Sequence, residues 1–232
     1  MSEFRFKHFT VDMEGAAMKV GTDGVLVGAW ASFDNARRIL DIGCGTGVIA
    51  LMAAQRNMSA AITAIDIDES AVECSRRNFE RSPWANRLTA ECVRIQDYNA
   101  SEQFDSIISN PPYFLDSLLS PSQKRTTARH AVTLTYEELN EGVCRLLSRE
   151  GTFTLILPAE EMAVFESITT LTMQRRCDVR SVEEGPVKRV MAEFGYRSVE
   201  APIVEQLTIE LPARGQFTAE YRNLTKDFYL KF

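Results

Sequence analysis

What this 232-residue chain lacks narrows its chemistry before any motif is considered. It has only two histidines, His8 and His130, and its five cysteines (Cys44, Cys74, Cys92, Cys144 and Cys177) nowhere form a C-x-x-C pair. Structural zinc needs four nitrogen or sulfur ligands at close spacing, so no metal site is expected and the thiols should be reduced and mostly buried. No segment approaches the roughly 18 consecutive apolar residues of a membrane span. The opening MSEFRFKHFTVD is charged and has no apolar h-region, which is unlike a secretory signal and makes a cytoplasmic location the expectation. Repeats and low-complexity tracts are missing too. With 45% hydrophobic and 25% charged residues, the composition is that of a soluble globular chain and argues against disorder.

Excess positive charge is also absent. The net charge of −6 argues against non-specific nucleic-acid binding. The distribution is less one-sided: residues 1–120 hold 11 Lys/Arg against 16 Asp/Glu, and residues 121–232 hold 15 against 16. Basic clusters fall in the second half, at Lys124, Arg125, Arg129 and His130, at Arg175, Arg176 and Arg180, and at Lys188 and Arg189. Such clusters are commonly solvated surface; they permit an RNA or DNA partner without establishing one.

From Arg38 the hydrophobic pattern becomes regular. Apolar runs of strand length (RRILDI, AITAIDI, LTAECVRI, FDSIISN, GTFTLILP) alternate with helical stretches (VIALMAAQR, ESAVECSRRNFER, YEELNEGVCRLLSR and Glu160 to Met173). In the second helix Ala71, Val72, Cys74 and Phe79 are candidate core contacts. Phe4 to Val11 suggests an edge strand, and Thr22 or Asp23 suits a helix N-cap before VLVGAWASF. The tail has β-like segments without a long helix between them, CDVRSVEE, KRVMAEFGYR and EQLTIEL. The expectation is one α/β domain over residues 1–232, doubly wound and mostly parallel, with an antiparallel addition at the C-terminal edge. It divides into an N-terminal strand and helix over 1–36, a core over 37–200 and an extension over 201–232.

Ligands of open α/β sheets bind beyond the carboxyl ends of the strands. The first turn there is Asp41-Ile-Gly43-Cys-Gly45-Thr-Gly47. Its glycines let the backbone turn tightly and approach a ligand closely. The spacing is not G-x-G-x-x-G, since Val48 stands where the third glycine belongs, and no G-K-[ST] of a P-loop follows. Asp41 at the strand end would repel a pyrophosphate but suits a cation. Asp66, in AIDID, ends the second strand where an acid can hold ribose hydroxyls. Asp97, in RIQDY, follows the third and could accept from an adenine amino group. A cationic centre, a ribose and an adenine without phosphates describe S-adenosylmethionine.

The fourth strand ends in Asn110-Pro111-Pro112-Tyr113. An amine conjugated to a π-system is a poor nucleophile because its lone pair is delocalised. The Asn110 side-chain oxygen and the Pro111 carbonyl could accept its two N–H bonds and turn the lone pair toward a methyl donor. Proline fixes φ and restricts the residue before it, so both acceptors are rigidly held. Tyr113 would stack on a planar acceptor.

These motifs, DIGCGTG, AIDID and IQDY, resemble the cofactor site of the Rossmann-like (class I) S-adenosylmethionine-dependent methyltransferases, which implies a seven-stranded sheet with a reversed last strand. N-P-P-Y resembles the signature of enzymes that methylate planar amino groups, either adenine N6 in nucleic acids or glutamine side chains of release factors. The stretch FRFKHFTVDMEGAAMKVGTDGVLVGAW, with QKRTTARHA and the ending FTAEYRNLTKDFYLKF, looks like the bacterial tRNA1(Val) (adenine(37)-N6)-methyltransferase family. That resemblance implies that Thr22 and its neighbours close over the cofactor, with Gly43, Gly45 and Gly47 making room for its methionine portion. It further implies Ile67 packed on the adenine ring and a tRNA substrate whose phosphates meet Lys124, Arg125 and Arg129. A glutamine methyltransferase and a non-catalytic cofactor-binding module are the alternatives. Oligomeric state is not legible.

Overall fold

The computed structural model describes residues 3–14, 19–111, 134–213 and 215–231. A small hairpin of β1 (Glu3–Arg5) and β2 (Thr10–Asp12) leads to α1 (Thr22–Trp30). Strands and helices then alternate: β3 (Arg38–Ile42), α2 (Val48–Arg56), β4 (Ala61–Asp66), α3 (Glu69–Glu80), β5 (Leu88–Cys92) and β6 (Phe104–Ser109). After them come α4 (Tyr136–Leu146), β7 (Leu147–Pro158), α5 (Ala159–Ile168), β8 (Thr172–Val182), β9 (Val187–Gly195), β10 (Ile203–Glu210) and α6 (Ala219–Thr225). No helix among the described residues is long and apolar enough to cross a membrane.

Strands β3 to β10 form one eight-stranded sheet in the order β10-β8-β9-β7-β6-β3-β4-β5. Chain order reverses at β3, which pairs in parallel with β4 on one side and β6 on the other. Only β9 runs against its neighbours, pairing antiparallel with both β7 and β8. The reversed strand expected at the C-terminal edge therefore lies inside the sheet. A tight turn, with the Gly185 N–H donating to the Val182 carbonyl at 2.9 Å, sends β9 back between β7 and β8. The outermost strand, β10, runs parallel to β8 and raises the count from the expected seven to eight.

Side-chain alternation along these strands divides the core in two. Ile39, Ile62, Ile108, Ile156 and Met191 face the layer of α1, α2 and α3. Leu40, Ile42, Ile65, Ile107, Leu155 and Leu157 face α4 and α5. The predicted contacts of α3, Ala71, Val72, Cys74 and Phe79, are all buried. Helix α1 is buried from Gly24 to Trp30. Its N-cap is Gly21, with no side-chain cap, so neither Thr22 nor Asp23 caps it as the sequence suggested. The Asp23 carboxylate is instead engaged by Arg189 Nε at 2.9 Å. Helix α5 also ends earlier than expected, at Ile168 and not at Met173. The β-branched run after it disfavours helix, and Thr169 Oγ1 bonds Asn140 Oδ1 at 2.7 Å. Three of the five cysteines are buried, Cys144 is half-buried and Cys92 exposed, and all are free.

Candidate active site

Pairing of Ile42 with Ile65 on one side and Ser109 on the other sets three strand ends at one level. Gly43, Asp66 and Asn110, each one residue further on, are thereby brought together at the point where the strand order reverses. The glycine turn is built from this frame. The Gly43 and Cys44 N–H groups donate to the Ile65 carbonyl at 2.9 and 3.1 Å, and Gly47 N–H closes onto the Cys44 carbonyl at 2.7 Å. Gly43, Gly45 and Gly47 have φ of 74°, 53° and 76°, in the left-handed region that other residues avoid. A Cβ added at Gly43 or Gly45 would meet nothing within 4 Å, so this part of the turn is a cradle with room beside it. At Gly47 the constraint comes from within, because a Cβ there would lie 2.5 Å from the Phe79 ring.

Two polar residues of α3 hold the turn in place. Ser75 Oγ donates to the Gly45 carbonyl at 3.0 Å, and Asn78 Nδ2 donates to the Thr46 carbonyl at 2.9 Å. Asn78 also exchanges hydrogen bonds with the Asp12 backbone, at 2.8 and 2.9 Å, and so ties the N-terminal hairpin to the turn. Sequence reasoning missed both residues. Their one signal is that Ser75 and Asn78, polar and three apart, fall on the buried stripe that Ala71, Val72 and Phe79 define.

The three acids differ sharply. Asp41 lies on the α2 side of β3 and is fully buried. Its Oδ2 accepts the Ala50 N–H at 3.2 Å, while its Oδ1 is buried without a hydrogen-bond partner among the described residues. Burial, and to a lesser degree the charge of Asp66, push its pKa up to about 7, against the pull of the Ala50 N–H. Burial chiefly, with Asp41 adding, also holds the neighbouring Cys44 thiol well above its ordinary value. Asp66 is half-buried; Oδ2 accepts from Gly45 N–H and Oδ1 from Asp68 N–H, both at 3.0 Å. Each carboxylate oxygen has a further lone pair for a hydroxyl. Asp97 is exposed on a turn whose backbone is anchored by Arg145, which donates to the Tyr98 and Ile95 carbonyls at 2.6 Å. Ile67 stands 51% exposed beside Asp66, its side chain open at the strand end.

Asn110 is half-buried and Pro111 buried. No hydrogen bond occupies the Asn110 side chain among the described residues. Its amide nitrogen lies 3.8 Å from where a Cβ on Gly24 would stand, and Val48 is 3.7 Å from the same point. The first turn of α1 is thus the wall beside Asn110. Thr22, one turn edge away, is exposed and lines a separate cavity with Asp23. Tyr113, Lys124, Arg125 and Arg129 lie outside the described residues. Of the other basic clusters, Arg175 pairs with Glu205 and Glu193, and Arg176 with Glu166 and Asp178. Arg180 bonds Gln206 at 3.2 Å. These arginines serve the fold. Among the described residues no group of three or more His, Cys, Asp or Glu side chains is placed to hold a metal ion.

Sheet order, glycine cradle and strand-end acids together define a Rossmann-like methyltransferase, and a family profile described as "Methyltransferase small domain" matches residues 21–141. Solved structures share the fold: a predicted O-methyltransferase from Agrobacterium tumefaciens has a TM-score of 0.69 at 18% identity, over 89% of this chain and 96% of that one. The N-methyltransferase NodS from Bradyrhizobium japonicum, solved with S-adenosyl-L-homocysteine, has a TM-score of 0.52 at 16% identity, over 73% and 82% of the two chains. The tRNA1(Val) (adenine(37)-N6)-methyltransferase of Bacteroides thetaiotaomicron is 46% identical over 98% of this chain and 97% of its own length. This chain belongs to the tRNA1(Val) (adenine(37)-N6)-methyltransferase family.

Proposed function

We propose that this protein methylates N6 of adenosine 37 in the anticodon loop of a tRNA, using S-adenosylmethionine, with Asn110 and Pro111 orienting the amine. One observation supports this reading most strongly: the register of β3 and β6 sets Asn110 level with the glycine cradle in a chain of this family. The residues fit the cofactor. Gly43 and Gly45 leave space for its methionine portion, Asp66 meets the ribose, Ile67 covers the adenine ring, and Asp97 accepts from the adenine amino group. Asp41, with one oxygen unpartnered among the described residues, would offset the positive charge of the ligand. The N-terminal hairpin, tied to the turn through Asn78 and Asp12, closes the site from above, whereas Thr22 itself opens on the neighbouring cavity.

The cofactor supplies an electrophilic methyl group on a sulfonium. The protein's own part is to present the nucleophile. Asn110 Oδ1 and the Pro111 carbonyl accept the two N–H bonds of the exocyclic amine, which favours a pyramidal nitrogen. Fixed acceptors of this kind act without reorganising during the reaction. With the cofactor bound, its C–S bond would break as the C–N bond forms, and the methylated amine, now acidic, would lose its proton to water. No strong general base is required. Tyr113 stacks on the base, extruded from the loop as single-stranded RNA targets commonly are. Lys124, Arg125 and Arg129 meet the phosphates. The single domain over residues 1–232 works in the cytoplasm, where its substrate is.

The test is transfer of labelled methyl to unmodified total tRNA, release factor and duplex DNA in parallel. Label in N6-methyladenosine from tRNA is expected. Label in release-factor glutamine, or none despite cofactor binding, would replace this reading with the glutamine enzyme or the non-catalytic module.

A further inference from the structure

A cavity of about 850 Å³ opens at the same carboxyl edge of the sheet, on the far side of the first turn of α1 from Asn110. Its floor is the end of β8 (Val179, Ser181), the start of β9 (Lys188, Arg189) and the end of β10 (Ile209, Glu210). One wall is Thr22, Asp23 and Leu26 of α1; the other is aromatic, with Phe4, Phe217, Tyr221 and Tyr229. Phe217 and Tyr221 have ring centroids 5.2 Å apart, and Phe4 and Tyr229 lie 6.2 Å apart. Phe4, Phe217 and Tyr229 are only half-buried, so ring surface faces the cavity.

The charges around it depart from the acidic chain as a whole. Arg5, Lys188 and Lys231 are exposed cations at the rim and make no ion pair among the described residues. Of the two lining acids, Asp23 is matched by Arg189 at 2.9 Å, which leaves Glu210. Elsewhere the sheet's arginines are consumed by internal acids, as at Arg175 and Arg176. Unpaired cations over an aromatic lining suit a planar base joined to an anionic backbone. The volume lies in the range of small-molecule sites, and one helix, about 10 Å across with its side chains, separates it from Asn110.

We propose that this cavity receives a nucleotide of the substrate RNA that neighbours the target adenosine, its base against Phe217 and Tyr229 and its phosphates on Arg5, Lys188 and Lys231. The first turn of α1 then divides two extruded nucleotides, the target at Asn110 and a neighbour in the cavity. A second base read beside the first gives the enzyme a means to choose among adenosines that Asn110 and Pro111 would treat alike. The inference rests on the RNA-methylating function proposed above.

Binding of an anticodon stem-loop RNA, intact or with a single abasic site at each position flanking the target, tests it in wild type and Phe217→Ala. One abasic position should weaken wild-type binding about tenfold, the size of a lost base–aromatic stack. Phe217→Ala should weaken binding of the intact RNA similarly and make that same abasic site silent, while cofactor affinity stays unchanged. Lys188→Glu, at an exposed side chain, provides a second reading that does not depend on the packing of Phe217. It should weaken RNA binding and lower the salt slope by about one. Multiplying losses at every position, or wild-type binding by both variants, overturns the proposal. Wild-type conversion of the same RNA to N6-methyladenosine is scored separately: its absence overturns the functional reading and this inference together, whereas turnover with unaltered binding by both variants overturns the inference alone.

Discussion

Asp41 on strand β3 accepts the backbone N–H of Ala50, the third residue of α2, at 3.2 Å, and so caps a helix that has no side chain of its own at Gly47 to do so. The N-terminal end of a helix favours a negative charge, yet burial pushes this carboxyl up to about 7. The groups facing it are Ala50, the Asp66 carboxylate and the neutral Cys44 thiol. A carboxyl pKa raised on folding binds its proton more tightly in the native state. Stability of the ligand-free protein should therefore fall as pH rises from about 4 to 7 and level off above. A cationic ligand favours the ionised form, so S-adenosylmethionine affinity should rise roughly tenfold between pH 6 and 8. Calorimetric titration across that range checks this; a flat profile contradicts it.

Asp41→Asn separates the cap from the charge. The amide oxygen can still accept from Ala50, and the buried negative charge is gone. The melting temperature of the ligand-free protein at pH 8 should rise by a few degrees, while cofactor affinity falls and loses its dependence on pH. A drop in melting temperature would show that the buried charge contributes stability after all.

Gly47 and Gly43 make a matched pair. Gly47→Ala combines a left-handed φ with a 2.5 Å overlap on the Phe79 ring. Strain of about 1–2 kcal/mol and overpacking of about 1–3 kcal/mol should lower stability by about 2–5 kcal/mol in urea titration. Gly43→Ala meets no neighbour and should cost only the strain, about 1–2 kcal/mol. Its added methyl stands in the cradle, so its loss should be chiefly in cofactor affinity.

Asp66→Ala removes the acceptor for two backbone N–H groups as well as the proposed ribose contact. Hydrogen bonds to a charged group contribute about 1.5–3 kcal/mol. Cofactor affinity should fall by about tenfold to a hundredfold, and adenosine should compete less well for the variant than for wild type. Equal competition would place the ribose elsewhere.

The parallel core was readable because its signals are local: apolar runs of strand length, helical periodicity in α2 and α3, glycines between them. The placement of Asn110 and Asp66 at the carboxyl edge of the sheet was readable for the same reason, since each ends or directly follows a strand whose direction the pattern sets. What the sequence concealed depends on pairing between distant segments. Nothing local distinguishes β9 as an interior strand, because its neighbours are decided by where β7 and β8 lie. Asp23 looked like a cap because Arg189, 166 residues away, could not be seen to claim it. Ser75 and Asn78 look like ordinary helix residues until the glycine turn is folded against them.

The role of Asn110 in orienting the amine is decided by the single-turnover rate of Asn110→Ala on tRNA, with cofactor and RNA both saturating. Removing one fixed polar group of this kind commonly slows chemistry by about a hundredfold to a thousandfold. A loss of that size is expected, with cofactor affinity unchanged. A rate within a few-fold of wild type, with N6-methyladenosine still the product, would show that Asn110 does not orient the amine.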